Sequence, residues 1–165
     1  MNFFFRIFIS AFTITTLVSN SDLSRTYDLT FFVISSTNDI LTCGTNSPVN
    51  AVISSYTLKD FPALPMIWDT YTCSTSYHCL MTKYFFVPGR PTGALVDVYS
   101  DDFIVMKIND VLVSTVSTTM QCTLQSSKNI FEYIKPGLNT LYLDAYNSLG
   151  SASFGYRLTI NTQLV

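Results

Sequence analysis

Charge is scarce in this chain. Lys, Arg, Asp and Glu make up 12% of its 165 residues, and the formal net charge is -2. Neutralising a phosphate backbone takes clustered Lys and Arg, so the scarcity disfavours nucleic acid, and none is expected as a partner. Histidine occurs once, at His78, and glutamate once, at Glu132. No Gly-X-Ser-X-Gly elbow and no cysteine nucleophile accompanies the histidine, which leaves nucleophilic catalysis without its parts. Glycosidase chemistry needs two acids facing each other across a cleft. The doubled acid here, Asp101-Asp102, consists of neighbours that point to opposite faces of a strand. The sequence therefore reads as a protein that is not an enzyme. Long amphipathic helical patterns are missing as well, and beyond residue 21 no apolar run is long enough to cross a bilayer.

What is present begins with an apolar segment, Phe3 to Val18, with a thin basic start at Arg6 and followed by the small residues Ser19 and Ser21. That is the layout of a secretory signal peptide over residues 1–21, and the alternative is a membrane anchor. Ser10, Thr13, Thr15 and Thr16 weaken the anchor reading, since they shorten the apolar stretch below a full span. The expectation is a secreted protein with residues 22–165 as one domain and no membrane span in the mature chain. Four cysteines suit an oxidising compartment and allow three disulfide pairings. Cys73 and Cys79 bracket a short polar loop, so a local Cys73–Cys79 bridge is favoured, with Cys43 left to Cys122. A zinc site at His78 and Cys79 matches no common ligand spacing.

The centre of the chain runs from Gly93 to Val116. Ala94 to Tyr99, Phe103 to Ile108 and Val111 to Val116 each alternate with period two, the signature of half-buried strands. Asp101-Asp102 separates the first two runs. Asn109-Asp110 separates the second from the third, and both residues tolerate positive φ, as a hairpin turn requires. The pattern predicts an antiparallel meander with an acidic corner. Further strands are expected at Tyr27 to Ile34, Ala51 to Leu58, Leu80 to Val87, Asn139 to Tyr146 and Phe154 to Ile160, with Ser35 to Pro48 as a loop. Ser127 could cap a helical turn holding Ile130, Phe131 and Ile134, closed by Lys135-Pro136-Gly137. About eight short strands and no long helix define an all-β, antiparallel sandwich.

The order of motifs carries a resemblance. Met66-Ile67-Trp68-Asp69, Lys83 to Gly89, Ala94 to Asp102, Val105 to Asn109, Tyr133 to Leu141 and Ala145-Tyr146-Asn147 together resemble the galactose-binding-like jelly-roll domains. Those domains are attached to many glycosidases and also occur alone in lectins. The likeness spans about Pro65 to Ile160 and departs at the hairpin, where Asn109-Asp110 replaces the usual Asn-Gly. A second likeness is to the yeast flocculin-type adhesin sandwich. It rests on Tyr99-Ser100-Asp101-Asp102 and on Gly150 to Leu158. In that family an adjacent aspartate pair helps hold a calcium ion that in turn coordinates a sugar.

These resemblances imply a recognition module for an extracellular glycan, with Asp101 and Asp102 as ligands for calcium. The bland alternative is a solvated turn in which an aspartate accepts backbone N–H groups. Asn147, in the loop ending at Ser151, is expected to converge on the same end of the sandwich, where it could both donate and accept. Tyr146 and Tyr99 are candidate stacking faces for a sugar ring; the alternative for each is packing under a loop or sheet. Trp68 is expected to be a core or edge anchor, and Arg90 a loop cation. The rival from another class is a structural or assembly protein of a cell surface, meeting a surface protein or its own copies through apolar faces.

Overall fold

The computed structural model describes residues 25–55, 64–71 and 76–164. The expected signal peptide and Cys73 lie outside these residues. The strands are β1 (Tyr27–Ile34), β2 (Ile40–Cys43), β3 (Val49–Asn50), β4 (Val52–Ile53), β5 (Ile67–Trp68) and β6 (Tyr77–Val87). After them come β7 (Arg90–Asp101), β8 (Phe103–Ile108), β9 (Val111–Leu112), β10 (Gln125–Asn129), β11 (Gly137–Asn147) and β12 (Ser153–Leu164). Eight of these strands have four residues or more, which matches the expected number. The one helical element among the described residues is a 3-10 turn at Phe131–Tyr133.

Two antiparallel sheets pack face to face as a sandwich. One has the order β10-β7-β12-β5-β4, with β1 also paired to β12; the other has the order β3-β2-β6-β11-β8-β9. Alternation explains the layering. In β11, Leu141, Leu143 and Ala145 are fully buried, while Tyr142, Asp144 and Tyr146 lie on the outer face. Phe154, Tyr156, Leu158 and Ile160 of β12 meet them from the facing sheet in one hydrophobic core that also holds Trp68. Each such side chain contributes about 1.5–3 kcal/mol when fully buried. Trp68 is the expected core anchor, and its indole N–H donates to the Tyr77 hydroxyl at 3.1 Å.

The expected meander is corrected. β7 belongs to one sheet and β8 to the other, so Asp101-Asp102 is the point where the chain crosses between layers, not a hairpin within one layer. β7 pairs with β12 and β10, whereas β8 pairs with β11 and β9. The Asn109-Asp110 turn does form: both residues have positive φ, 51° and 67°, and Ile108 pairs with Val111. Its third strand stops at Leu112, where Val113 turns inward and its N–H donates to Met106 O.

Two other expectations change. The loop from Ser35 to Pro48 contains β2, and the strand expected at Ala51 to Leu58, whose last three residues lie outside the described ones, is broken. Val49–Asn50 joins β2, Val52–Ile53 joins β5, and buried Ala51 marks the switch between sheets. Ser127 lies within β10 and donates its N–H to Asp97, so it caps no helical turn. Phe131 N–H at the 3-10 turn instead reaches the Asn129 side chain.

One polar cluster ties the layers together. Period two places Lys83 on the inner face of β6, opposite Leu141. Its ammonium donates to Asp39 Oδ1 at 2.7 Å and to Ile34 O at 2.9 Å. Asp39, almost fully buried, also accepts the Tyr156 hydroxyl at 2.8 Å and the Ser36 N–H at 3.0 Å. Burial, reinforced by the Asp39 charge, pushes the Tyr156 hydroxyl pKa well up, so it stays a donor. Replacing Asp39 with alanine strands a lysine and a tyrosine hydroxyl, at an expected cost of about 2–4 kcal/mol. Chemical unfolding measures it, and a loss under about 1 kcal/mol would contradict the linking role.

Candidate functional site

Three connections meet at one end of the sandwich. β7 ends at Asp101 and β8 begins at Phe103, while β11 ends at Asn147 and β12 begins at Ser153. The register closes this end: Ser153 pairs with Asp101, and Tyr146 pairs with Phe103. The expected convergence of the acidic corner with the 147–151 loop is therefore present. The Asp102 N–H donates to Tyr146 O at 2.9 Å. Asp102 Oδ2 accepts the Ser148 N–H at 2.7 Å and also the Ser148 hydroxyl.

A third segment arrives from between β9 and β10. Cys122 N–H donates to Asp102 O at 3.3 Å. The Cys122 thiol lies 3.2 Å from Asp101 Oδ1 and 3.5 Å from Asp102 Oδ1, as a donor to both. The three side chains each bring one ligand atom into a cluster less than 4.8 Å across.

The two carboxyls are not equivalent. Burial, with the neighbouring Asp102 charge, raises the Asp101 pKa against the opposing Cys122 hydrogen bond. Burial would raise Asp102 too, but the two Ser148 hydrogen bonds, then Cys122 and Asp101, outweigh it and hold its pKa below the ordinary value. Asp102 is thus the committed anion. Burial followed by the two carboxylates pushes the Cys122 thiol up to about 12.

The expected disulfide pairing is corrected. Cys43 bonds to Cys79, and Cys122 is not bridged. Cys43 and Cys79 are directly opposed residues of β2 and β6, both buried on the inner face. Neither Cys73–Cys79 nor Cys43–Cys122 is compatible with that bridge. The pairing was invisible without β2, which places Cys43 beside Cys79.

The remaining candidates are placed as follows. Tyr99 is 4% exposed and packs with Leu64 and Met66 on the outer face of its sheet, so it offers no stacking face. Tyr146 lies on the outer face of the other sheet between two rings: His78 at 4.6 Å and Phe103 at 6.2 Å between centroids. Its hydroxyl reaches Ser76 Oγ at 3.2 Å. Asn147 is fully buried and donates Nδ2–H to Gly150 O at 3.3 Å, shaping its own loop. Arg90 is exposed at the start of β7. Sequence reasoning missed Ser148 and the part played by Cys122. It also missed the His78–Asp144 pair, Nδ1 to Oδ1 at 2.6 Å, which is legible only once β6 and β11 are in register.

The class of protein these observations define is an all-β, disulfide-bonded antiparallel sandwich with a polar corner at one end. No protein-family model matches the chain, and no curated protein matches it. Among solved structures, the crystal structure of an FMN-binding beta-glucuronidase from Facaelibacterium prausnitzii L2-6 is similar. The TM-score is 0.47 and the sequence identity 15%, over 77% of this chain and 22% of that one. The expectation that this protein is not an enzyme is corrected on that finding, because the similar chain is an enzyme and the exclusion is withdrawn. At that TM-score the likeness assigns this chain no reaction.

The corner makes its own prediction. Cys122 is exposed, yet its raised pKa leaves about a thousandfold less thiolate than the ordinary value of 9.0 would. Alkylation by iodoacetamide at pH 8 should therefore be at least about tenfold slower than in the urea-unfolded chain. Asp101→Asn should restore part of the rate, since burial and Asp102 remain. Equal rates in folded and unfolded protein would contradict the arrangement.

Proposed function

We propose that the protein is a secreted recognition module that binds extracellular carbohydrate at the end of the sandwich formed by Asp101, Asp102 and the 147–151 loop. The single observation that carries this reading is the convergence of two inter-sheet crossings on a pair of adjacent carboxylates, one of them held charged by Ser148. Rigidly placed loops at a sandwich end are where such scaffolds present binding groups. The motif order shared with galactose-binding-like domains, and the aspartate pair shared with flocculin-type adhesins, support the same class of ligand. The Cys43–Cys79 disulfide fits an extracellular protein. Among the described residues, no helix is long and apolar enough to cross a membrane.

Calcium suits the donor set. Asp101 and the Oδ1 of Asp102 are hard oxygen ligands close together, whereas Cys122 keeps its proton and is a poor soft ligand. A bound calcium ion would supply a positive centre for sugar hydroxyls. The chain's own part is to hold that centre. Ser148 fixes Asp102, Asp101 turns to the same space, and Leu149, 79% exposed, offers an apolar surface beside it. Tyr99, Tyr146 and Asn147 serve the scaffold in this reading, since each is buried or flanked by neighbouring groups.

A glycan array probed with the full chain, with and without calcium, tests the proposal. Retention of a defined glycan class in calcium, lost in chelator, is expected. Asp101→Ala keeps the Asp102–Ser148 bonds, so it should lower binding at least about tenfold and leave the melting temperature within about 2 °C. Absence of glycan binding in both conditions, or undiminished binding by Asp101→Ala, would overturn it.

A further inference from the structure

The sheet edges differ sharply in how they end. Natural sheets blunt exposed edges by making them short, bulged or charged, because unpaired backbone N–H and C=O groups template another strand. Among the described residues, β3, β4 and β9 are two residues long, and β10 has five with a register shift. β1 has eight residues in unbroken register with β12, and its one charged residue is Asp28. β5 takes the same side of β12 but only at Phe154, so among the described residues no strand pairs with the outer edge of β1.

Period two fixes which groups face outward. Ser35 N–H donates to Tyr156 O, so the odd-numbered residues of β1 turn their backbone groups to β12. The even-numbered residues Asp28, Thr30, Phe32 and Ile34 turn theirs away, and Lys83 takes the outward carbonyl of Ile34. The side chains add apolar surface on both faces of the strand. Tyr27 is 60% exposed and Leu29 39% on the inner side, and Phe32 54% on the outer.

We infer that β1 is a self-association edge, pairing antiparallel with β1 of a second copy of this chain about a two-fold axis at Phe31. This register sets Thr30 opposite Phe32 of the other copy, so outward groups meet outward groups. It sets Leu29 opposite Val33 and Phe31 opposite Phe31, joining the inner faces into one apolar surface. It also keeps the two Asp28 carboxylates apart, each facing an Ile34. The pattern is self-complementary and closes the exposed edge, as an isologous interface does.

Sedimentation equilibrium of the full chain across micromolar concentrations tests this. A twofold rise in apparent mass with concentration is expected. Thr30→Pro removes an outward N–H that β12 does not use, together with the exposed Thr30 hydroxyl bond to Asn161, and Phe32→Lys adds a charge to the edge. Each should return the chain to a monomer at the same concentrations, with unchanged circular dichroism. Amide hydrogen exchange of the unaltered chain gives a readout independent of variant folding: Asp28, Thr30 and Phe32 should become protected as concentration rises. A monomer at every concentration, a dimer that survives both variants, or amides unprotected throughout would overturn the inference.

Discussion

The hydrogen bonds from Ser148 to the Asp102 carboxylate join the two places where the chain crosses between layers at this end of the sandwich. One crossing takes the chain from β7 to β8, the other from β11 to β12, and these four strands supply nearly half of the core residues. A sandwich core is stable only while its sheets keep their spacing and register, because interiors are packed at crystal-like density. Asp102 meets that constraint from both sides. Its N–H holds the end of β11 through Tyr146 O, and its carboxylate holds the loop that follows. Charge-assisted bonds of this kind are about twice as strong as neutral ones, which is why the local balance favours the ionised form despite burial.

The same constraint explains the corner's chemistry. Asp102 is committed to structure through one oxygen, and Asp101 beside it has a raised pKa and a thiol for company. One carboxylate builds the end of the fold, and the other is the one the proposed site would use. At the opposite end, Asn109 does comparable work with an amide, donating to Asn139 Oδ1 and accepting the Thr140 N–H. No charge is needed there, and none is spent. Asp39 with Lys83 and Asp102 with Ser148 tie layers, whereas Asp97 and Arg157 pair across neighbouring strands of one sheet.

Much of this was legible in the residues. Period-two alternation located β1, β8 and the cores of β6, β7, β11 and β12, because side-chain direction alternates on every strand. The Asn109-Asp110 turn was readable because few residue pairs accept two positive φ values. Sheet membership was not readable. Nothing local in Tyr99 to Phe103 tells a hairpin from a crossing, since both need a polar break between two strands. β2 was missed because four residues between turn signals carry too little period, and with it went the Cys43–Cys79 pair. The meeting of the aspartate corner with the 147–151 loop was legible from their positions along the chain. The tyrosines were not, since alternation says which face a ring occupies and not what lies over that face. Tyr99 is covered by a segment more than thirty residues away in sequence, around Leu64 and Met66.

The account stands or falls on the coupling between Asp102 and Ser148. A double-mutant cycle with Asp102→Asn and Ser148→Ala, read by chemical unfolding at neutral pH, isolates that term from the separate effect of each residue. A coupling energy of about 1–3 kcal/mol is predicted for a half-buried, charge-assisted pair that ties two crossings. Additive losses, with coupling below about 0.3 kcal/mol, would contradict the claim that this interaction holds the end of the sandwich on which the proposed site is built.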